Sequence, residues 1–221
     1  MNILIYLGIL IVSRISLYFS NKFLKNLGIK VMVIIMNIIS LILSFKYIDL
    51  STIKLNASII TYVTMFSALY LLLENNTLKE TKKTININFL ITAFVSSLLF
   101  LTTLHQESII DSISINMRNV FRTNYRILIS YPVATLISNY LLLYLYQKIK
   151  NLYDIPFITT VTTYLVIGLI STLIFHLGSY YHILTIKNIL ELSLSTYMIG
   201  LILTVIYSIF LSKIKTTKVR K

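Results

Sequence analysis

Within the long apolar runs of this chain, polar residues return at every fourth position. Thr160, Tyr164, Gly168, Thr172 and His176 form one such series. Asn88, Thr92 and Ser96 form a second; Ser130, Ala134 and Ser138 form a third, with Asn139 beside it and Arg126 at its mouth. A four-residue period keeps side chains close to one face of an α-helix, drifting slowly around it. The chemistry on offer is neutral hydrogen bonding. Small and hydroxyl residues let membrane helices approach closely, so packing alone accounts for each series. The sharper reading is that the three faces look onto a common polar path. Asn139 and His176 favour it, because an amide or imidazole left unsatisfied in lipid is costly. Pro132 removes one backbone hydrogen bond and can bend its helix toward such a path. The expected path residues are Arg126, Ser138, Asn139, Thr172, His176 and Asn88. Of these, His176 titrates near neutral pH if water reaches it.

Catalytic patterns are missing from the sequence. It holds no P-loop, dinucleotide fingerprint or HExxH zinc motif, and no GxSxG or Ser/Lys nucleophile motif. His105, His176 and His182 have no acidic neighbour at ligand spacing on a helix, and the chain has no cysteine. No disulfide, thiolate nucleophile, metal or cofactor is therefore expected, and the chain does not read as an enzyme.

The elements that must position these residues follow from composition. Of 221 residues, 57% are hydrophobic and 12% charged, with a mean hydropathy of +0.83. So apolar a chain cannot clothe a soluble globule, whose charged fraction runs nearer one quarter. Seven runs approach the roughly 20 residues needed to span a bilayer: Ile3–Phe19, Val31–Phe45, Ala57–Leu73, Ile85–Leu104, Ile127–Tyr146, Phe157–Gly178 and Ile189–Leu211. They are too long, and alternate too little, for barrel strands. The net charge of +13 gathers at the run ends, so it speaks for topology and anionic lipid rather than nucleic acid. One set of connections, with the C-terminus, carries 13 basic residues, among them Lys22, Lys25, Lys30, Lys79, Lys82, Lys83, Lys148 and Lys150, against 6 on the other. The positive-inside rule then places the C-terminus in the cytoplasm and the N-terminus outside. The longest loop, His105–Arg126, is expected to hold a short interfacial helix. Arg14, inside the first run, is expected to snorkel to an interface rather than pair with Glu191. Water explains Glu74 at a run end.

From about Val31 to Lys215 the chain resembles the vitamin uptake transporters, best understood as queuosine precursor transporters. The resemblance rests on Val120-Phe-Arg-Thr-Asn-Tyr-Arg126-Ile-Leu-Ile-Ser130, on Ser138-Asn139, and on Gln147-Lys148-Ile-Lys150. It also rests on Lys46-Tyr-Ile-Asp49-Leu50 before Ala57, and on Glu74 followed by Lys79-Glu80 and Lys82. It implies an all-α integral membrane protein with a six-helix transporter-like bundle (29–212). An extra N-terminal helix and basic loop (1–28) would precede it and a basic tail (213–221) follow, in one polytopic domain. The family's usual polar positions fall here on Leu69, Tyr70, Gly168 and Ser171, and its Lys and Thr-Pro of the last helix are absent. The expected function is transport of a small neutral heteroaromatic solute of the 7-deazapurine type across the cell membrane. Arg126 would orient the helix mouth or meet a polar substrate edge. The alternative is a non-catalytic membrane subunit, or a substrate-capture component, working with an energising partner. A homo-oligomer stays open, and the lipid bilayer is the partner implied throughout.

Overall fold

The structure, a computed structural model, describes residues 2–50, 53–104, 112–153 and 155–213. The expected polarity of the connections around His105, Glu107 and Asp111, and the basic tail beyond Lys213, lie outside the described residues. Seven helices and one hairpin follow in order: α1 (Asn2–Leu43), β1 (Tyr47–Leu50), β2 (Ile53–Asn56), α2 (Ile59–Asn75), α3 (Leu78–Thr102), α4 (Ser112–Thr123), α5 (Tyr125–Leu152), α6 (Pro156–Tyr180) and α7 (Ile186–Lys213).

The first helix is two passes, not one. At Lys25 the backbone leaves the helical region, with φ 49° and ψ −132°, and the chain doubles back. A Cβ built on Gly28 would lie 2.2 Å from the Ser20 carbonyl oxygen. Eight residues along a straight helix would instead separate those positions by about 12 Å. Cross-links to α2 agree. Tyr6 OH donates to the Asn56 carbonyl, before α2, and Asn26 Nδ2 donates to Asn76 Oδ1, after it. The second arm then returns, so that Ser40 Oγ donates to the Ser58 carbonyl. The connection expected around Lys22, Lys25 and Lys30 is thus no loop. Lys22 and Lys30 sit within the helical arms, and only Lys25 makes the reversal. Five helices are long and apolar enough to cross a membrane, α1 among them, while α2 is a shorter apolar helix. With α1 counted as two arms, seven apolar helical segments run in alternating directions through the bundle. It is an all-α, multi-pass membrane protein.

Local signals start the other helices. Thr77 caps α3 by accepting from the Glu80 amide at 3.3 Å, the front half of a capping box. Pro156 opens α6 at a position where its missing N–H costs nothing. The helices α1, α3, α5, α6 and α7 neighbour one another in that order around α2, which touches α1 and α7 along its length. Nearly every residue of α2 is buried, which explains how a helix of about 25 Å can serve: it faces protein rather than lipid. Leu90, Phe94 and Leu101 of α3, Ile129 of α5 and Ile202 of α7 are exposed on the outer surface, as lipid-facing residues must be.

The hairpin closes one end, with Tyr47 opposite Asn56. It was not foreseen from the sequence. It is held there by Ser195 Oγ donating to the Lys54 carbonyl at 2.7 Å. A short helix was expected in the His105–Arg126 loop, and α4 is one, leaning Phe121 edge-on against Phe45 at 5.1 Å. Ile110, Ile113 and Ile115 fall outside what is described for side chains. Arg14 lies over the Phe210 ring at 4.8 Å, near the end of α7 that carries the basic connections. Glu191 instead lies 4.0 Å from the exposed Lys187.

The reversal makes opposite demands on two positions. Gly28→Ala pushes a methyl into a backbone oxygen and should lower the stability of the detergent-purified protein by about 1–3 kcal/mol. Lys25→Gly relieves a positive φ and should leave the melting temperature unchanged or raise it. Thermal unfolding of both variants checks this, and equal losses would contradict the tight reversal.

Candidate functional site: a buried polar cavity beneath the hairpin

Close to the hairpin end, α2, α5, α6 and α7 leave a cavity of about 30 Å³. It has room for about two water molecules. Asn56 and Ser58 contribute from the hairpin exit, Tyr62 from α2, Tyr131 and Thr135 from α5, Ser171, Thr172 and His176 from α6, and Thr196 from α7. All are buried. No Asp, Glu, Lys or Arg borders it among the described residues.

Most of the lining is bonded to protein. Tyr62 OH donates to Ser171 Oγ at 2.9 Å, joining α2 to α6. Asn56 Nδ2 donates to the Ser44 carbonyl at 2.8 Å, while its Oδ1 accepts the Ser58 amide at 2.9 Å. His176 Nδ1 lies 2.8 Å from the Thr172 carbonyl oxygen. Two lining atoms, His176 Nε2 and Thr196 Oγ1, find no protein partner. An orphaned buried polar atom costs about 1–3 kcal/mol; Ser96 Oγ and Tyr164 OH are others in the bundle, and these two are the ones on residues that line the cavity.

A second polar layer adjoins it. Asn37 Nδ2 donates to Asn88 Oδ1 at 3.1 Å and to Thr92 Oγ1 at 2.7 Å. Its Oδ1 accepts Tyr131 OH at 2.8 Å. This knot ties α1, α3 and α5 together with its amide satisfied, and it props Tyr131 against the cavity.

The residues expected to share one path are therefore spread over three places. Thr172 and His176 border the cavity. Asn88 sits one layer out, in the Asn37 knot. Ser138 returns its hydroxyl to the Ala134 carbonyl, and Asn139 is buried in α5 without bordering the cavity. Arg126 stands apart, donating to the Tyr181 carbonyl and lining an open groove between α5 and α6 with Gly178 and His182.

The repeating series divide in the same way. Gly168 and Gly200 make room for Tyr164: a Cβ on either would come within 3 Å of that ring or its hydroxyl. Gly178 similarly admits Ser130, whose hydroxyl lies 2.6 Å from Ser179 Oγ. The lower half of the α6 series thus packs helices, and its upper half faces the cavity.

Sequence reasoning passed over Asn37, Tyr62, Tyr131 and Thr196. Asn37, Ser40 and Ser44 do form a helical stripe that could have been read. Tyr62 stands four residues after Ser58, and Thr196 opens a four-residue series with Gly200, Thr204 and Ser208, a spacing that could also have been read. At the opposite end, Glu74 needs more than water to explain it. Its Oε1 accepts Tyr146 OH at 2.8 Å and its Oε2 lies 2.7 Å from Lys150 Nζ.

Removing the Asn37 amide leaves Asn88 and Tyr131 without partners. Asn37→Ala should cost about 1–3 kcal/mol, and an Asn37→Leu, Asn88→Leu double variant less than the sum of the single losses. Thermal unfolding reads both.

No family model, curated protein or solved structure matches this chain. The fold and the cavity therefore define it: a helical, multi-pass membrane protein with a small buried chamber near one end, lined by uncharged polar groups together with Ile59, Ala134 and Phe175.

Proposed function

We propose that this protein is a small-solute membrane transporter of the vitamin-uptake kind, carrying a neutral heteroaromatic solute across the cell membrane. The observation that carries the reading is the chamber with His176 Nε2 and Thr196 Oγ1 left unpartnered inside an apolar bundle. Both atoms belong to residues that line the chamber, where a passing solute would meet them. The resemblance of the Val120–Ser130 and Ser138–Lys150 stretches to the queuosine precursor transporters supports the same class and makes 7-deazapurine bases the first solutes to offer. Closed as described, the chamber holds about two waters, so a base enters only when the helices part. The hairpin covers one side, and the Glu74–Lys150 pair ties α2 to α5 on the other. Alternating release of these two ends would move a solute from side to side. By the positive-inside rule the Lys150 end faces the cytoplasm.

The deciding experiment is uptake of labelled 7-deazapurine bases by cells lacking their own transporter, with and without this gene. Uptake is expected, and His176→Ala should reduce it about tenfold, the worth of one lost substrate hydrogen bond. Unchanged uptake in His176→Ala and Thr196→Ala at normal expression would sink the reading. No uptake by protein shown to be in the membrane, with a stoichiometric partner on purification, would replace it by the membrane-subunit alternative.

A further inference from the structure

The polar groups around the chamber are not interchangeable, because many have already spent their hydrogens. Thr172 Oγ1 donates to the Gly168 carbonyl at 2.9 Å, and Thr135 Oγ1 to the Pro132 carbonyl at 3.0 Å. Tyr62 and Tyr131 donate to Ser171 and Asn37. What these four hydroxyls offer an occupant is oxygen lone pairs.

His176 adds the strongest acceptor. Its Nδ1 faces the Thr172 carbonyl oxygen at 2.8 Å. A carbonyl only accepts, so Nδ1 must carry the hydrogen. In a neutral imidazole the other nitrogen is then bare. Nε2 is therefore a bare lone pair on a residue that lines the chamber, and it has no protein partner. Thr196 Oγ1, on α7, is a lining hydroxyl buried without a protein partner. No charged side chain borders the chamber among the described residues, so an ionic guest would lose its hydration with nothing to offset the loss.

We infer that the chamber selects a neutral solute that donates an N–H or O–H to His176 Nε2 and accepts from the Thr196 hydroxyl. This is the two-sided polar edge of a lactam or an amino-heteroarene. The inference rests on the transporter reading for its solute, but its central element, the bare Nε2, belongs to the protein alone. The chain has only three histidines, so each can be assigned by single substitution.

The test uses the full chain, purified in lipid nanodiscs with ¹⁵N-labelled histidine, and the variants His105→Gln, His176→Gln and His182→Gln for assignment. At pH 7 the signal lost in His176→Gln should report the neutral tautomer with hydrogen on Nδ1. Hydrogen on Nε2, or a doubly protonated ring, would overturn the inference whatever the protein transports. Added 7-deazaguanine should then move the Nε2 resonance upfield and bind about tenfold more weakly to His176→Leu. The variant His176→Gln, whose amide oxygen can still accept, should stay within about threefold. Equal losses in the leucine and glutamine variants, or none in leucine, would also overturn it. Because the tautomer is read without transport, a protein that takes up no base but shows a bare Nε2 separates failure of the transporter reading from failure of this one.

Discussion

The structure depends on α2 being shut away from both lipid and water. A helix buried on all sides must settle every polar group against protein, because nothing else is within reach. Thr61, Thr64 and Ser67 do so locally, returning their hydroxyls to carbonyls of the preceding turn. The tyrosines reach outward instead. Tyr62 bonds to Ser171, and Tyr70 to the Pro156 carbonyl, both on α6, while Thr64 Oγ1 meets Tyr207 OH of α7 at 2.6 Å. These bonds fix the depth of α6 and α7 along the central helix, where apolar contacts alone would let them slide.

The two ends of this arrangement differ in kind. At the Glu74 end a carboxylate, an ammonium and two tyrosines form a charged knot, with Tyr70 edge-on to Tyr146 at 5.6 Å. Charges there are partly wet, so the tie is the sort that water and a moving helix can undo at modest cost. At the hairpin end the ties are neutral and buried, running through Asn56, Ser58 and Asn37. Opening that end means uncovering amides that have no water to turn to until the chamber itself is flooded.

How far the sequence foretold this depended on how locally each feature is encoded. The passes were legible because a bilayer imposes length and apolarity residue by residue, and the short helix α4 because its apolar positions alternate with polar ones. The break between the first two passes was legible as a basic stretch, but its tightness was hidden: no Gly-Pro or Asn-Gly signal marks Lys25, and Gly28, which permits the reversal, reads as one more small residue in a helix. The hairpin was hidden too, since Tyr47–Leu50 and Ile53–Asn56 are each four residues long. Of the site, Thr172 and His176 were legible from their spacing on α6. Their separation from Gly168 and Tyr164 was not, because which part of a stripe packs and which part faces a void depends on the opposite helix, and Gly200 of α7 carries no mark of its partner.

The turn at Lys25 bears on how the first two passes are coupled. Passes joined by a loop can enter a bilayer singly and settle their orientation one at a time. Two passes joined through a single residue, with the Gly28 backbone resting on Ser20, have no such slack: in the folded protein they form one unit, with Lys22, Lys25 and Lys30 close to its fold. The fold of the pair is thus a blunt end on which basic side chains gather, where a loop would have spread them along a flexible connection.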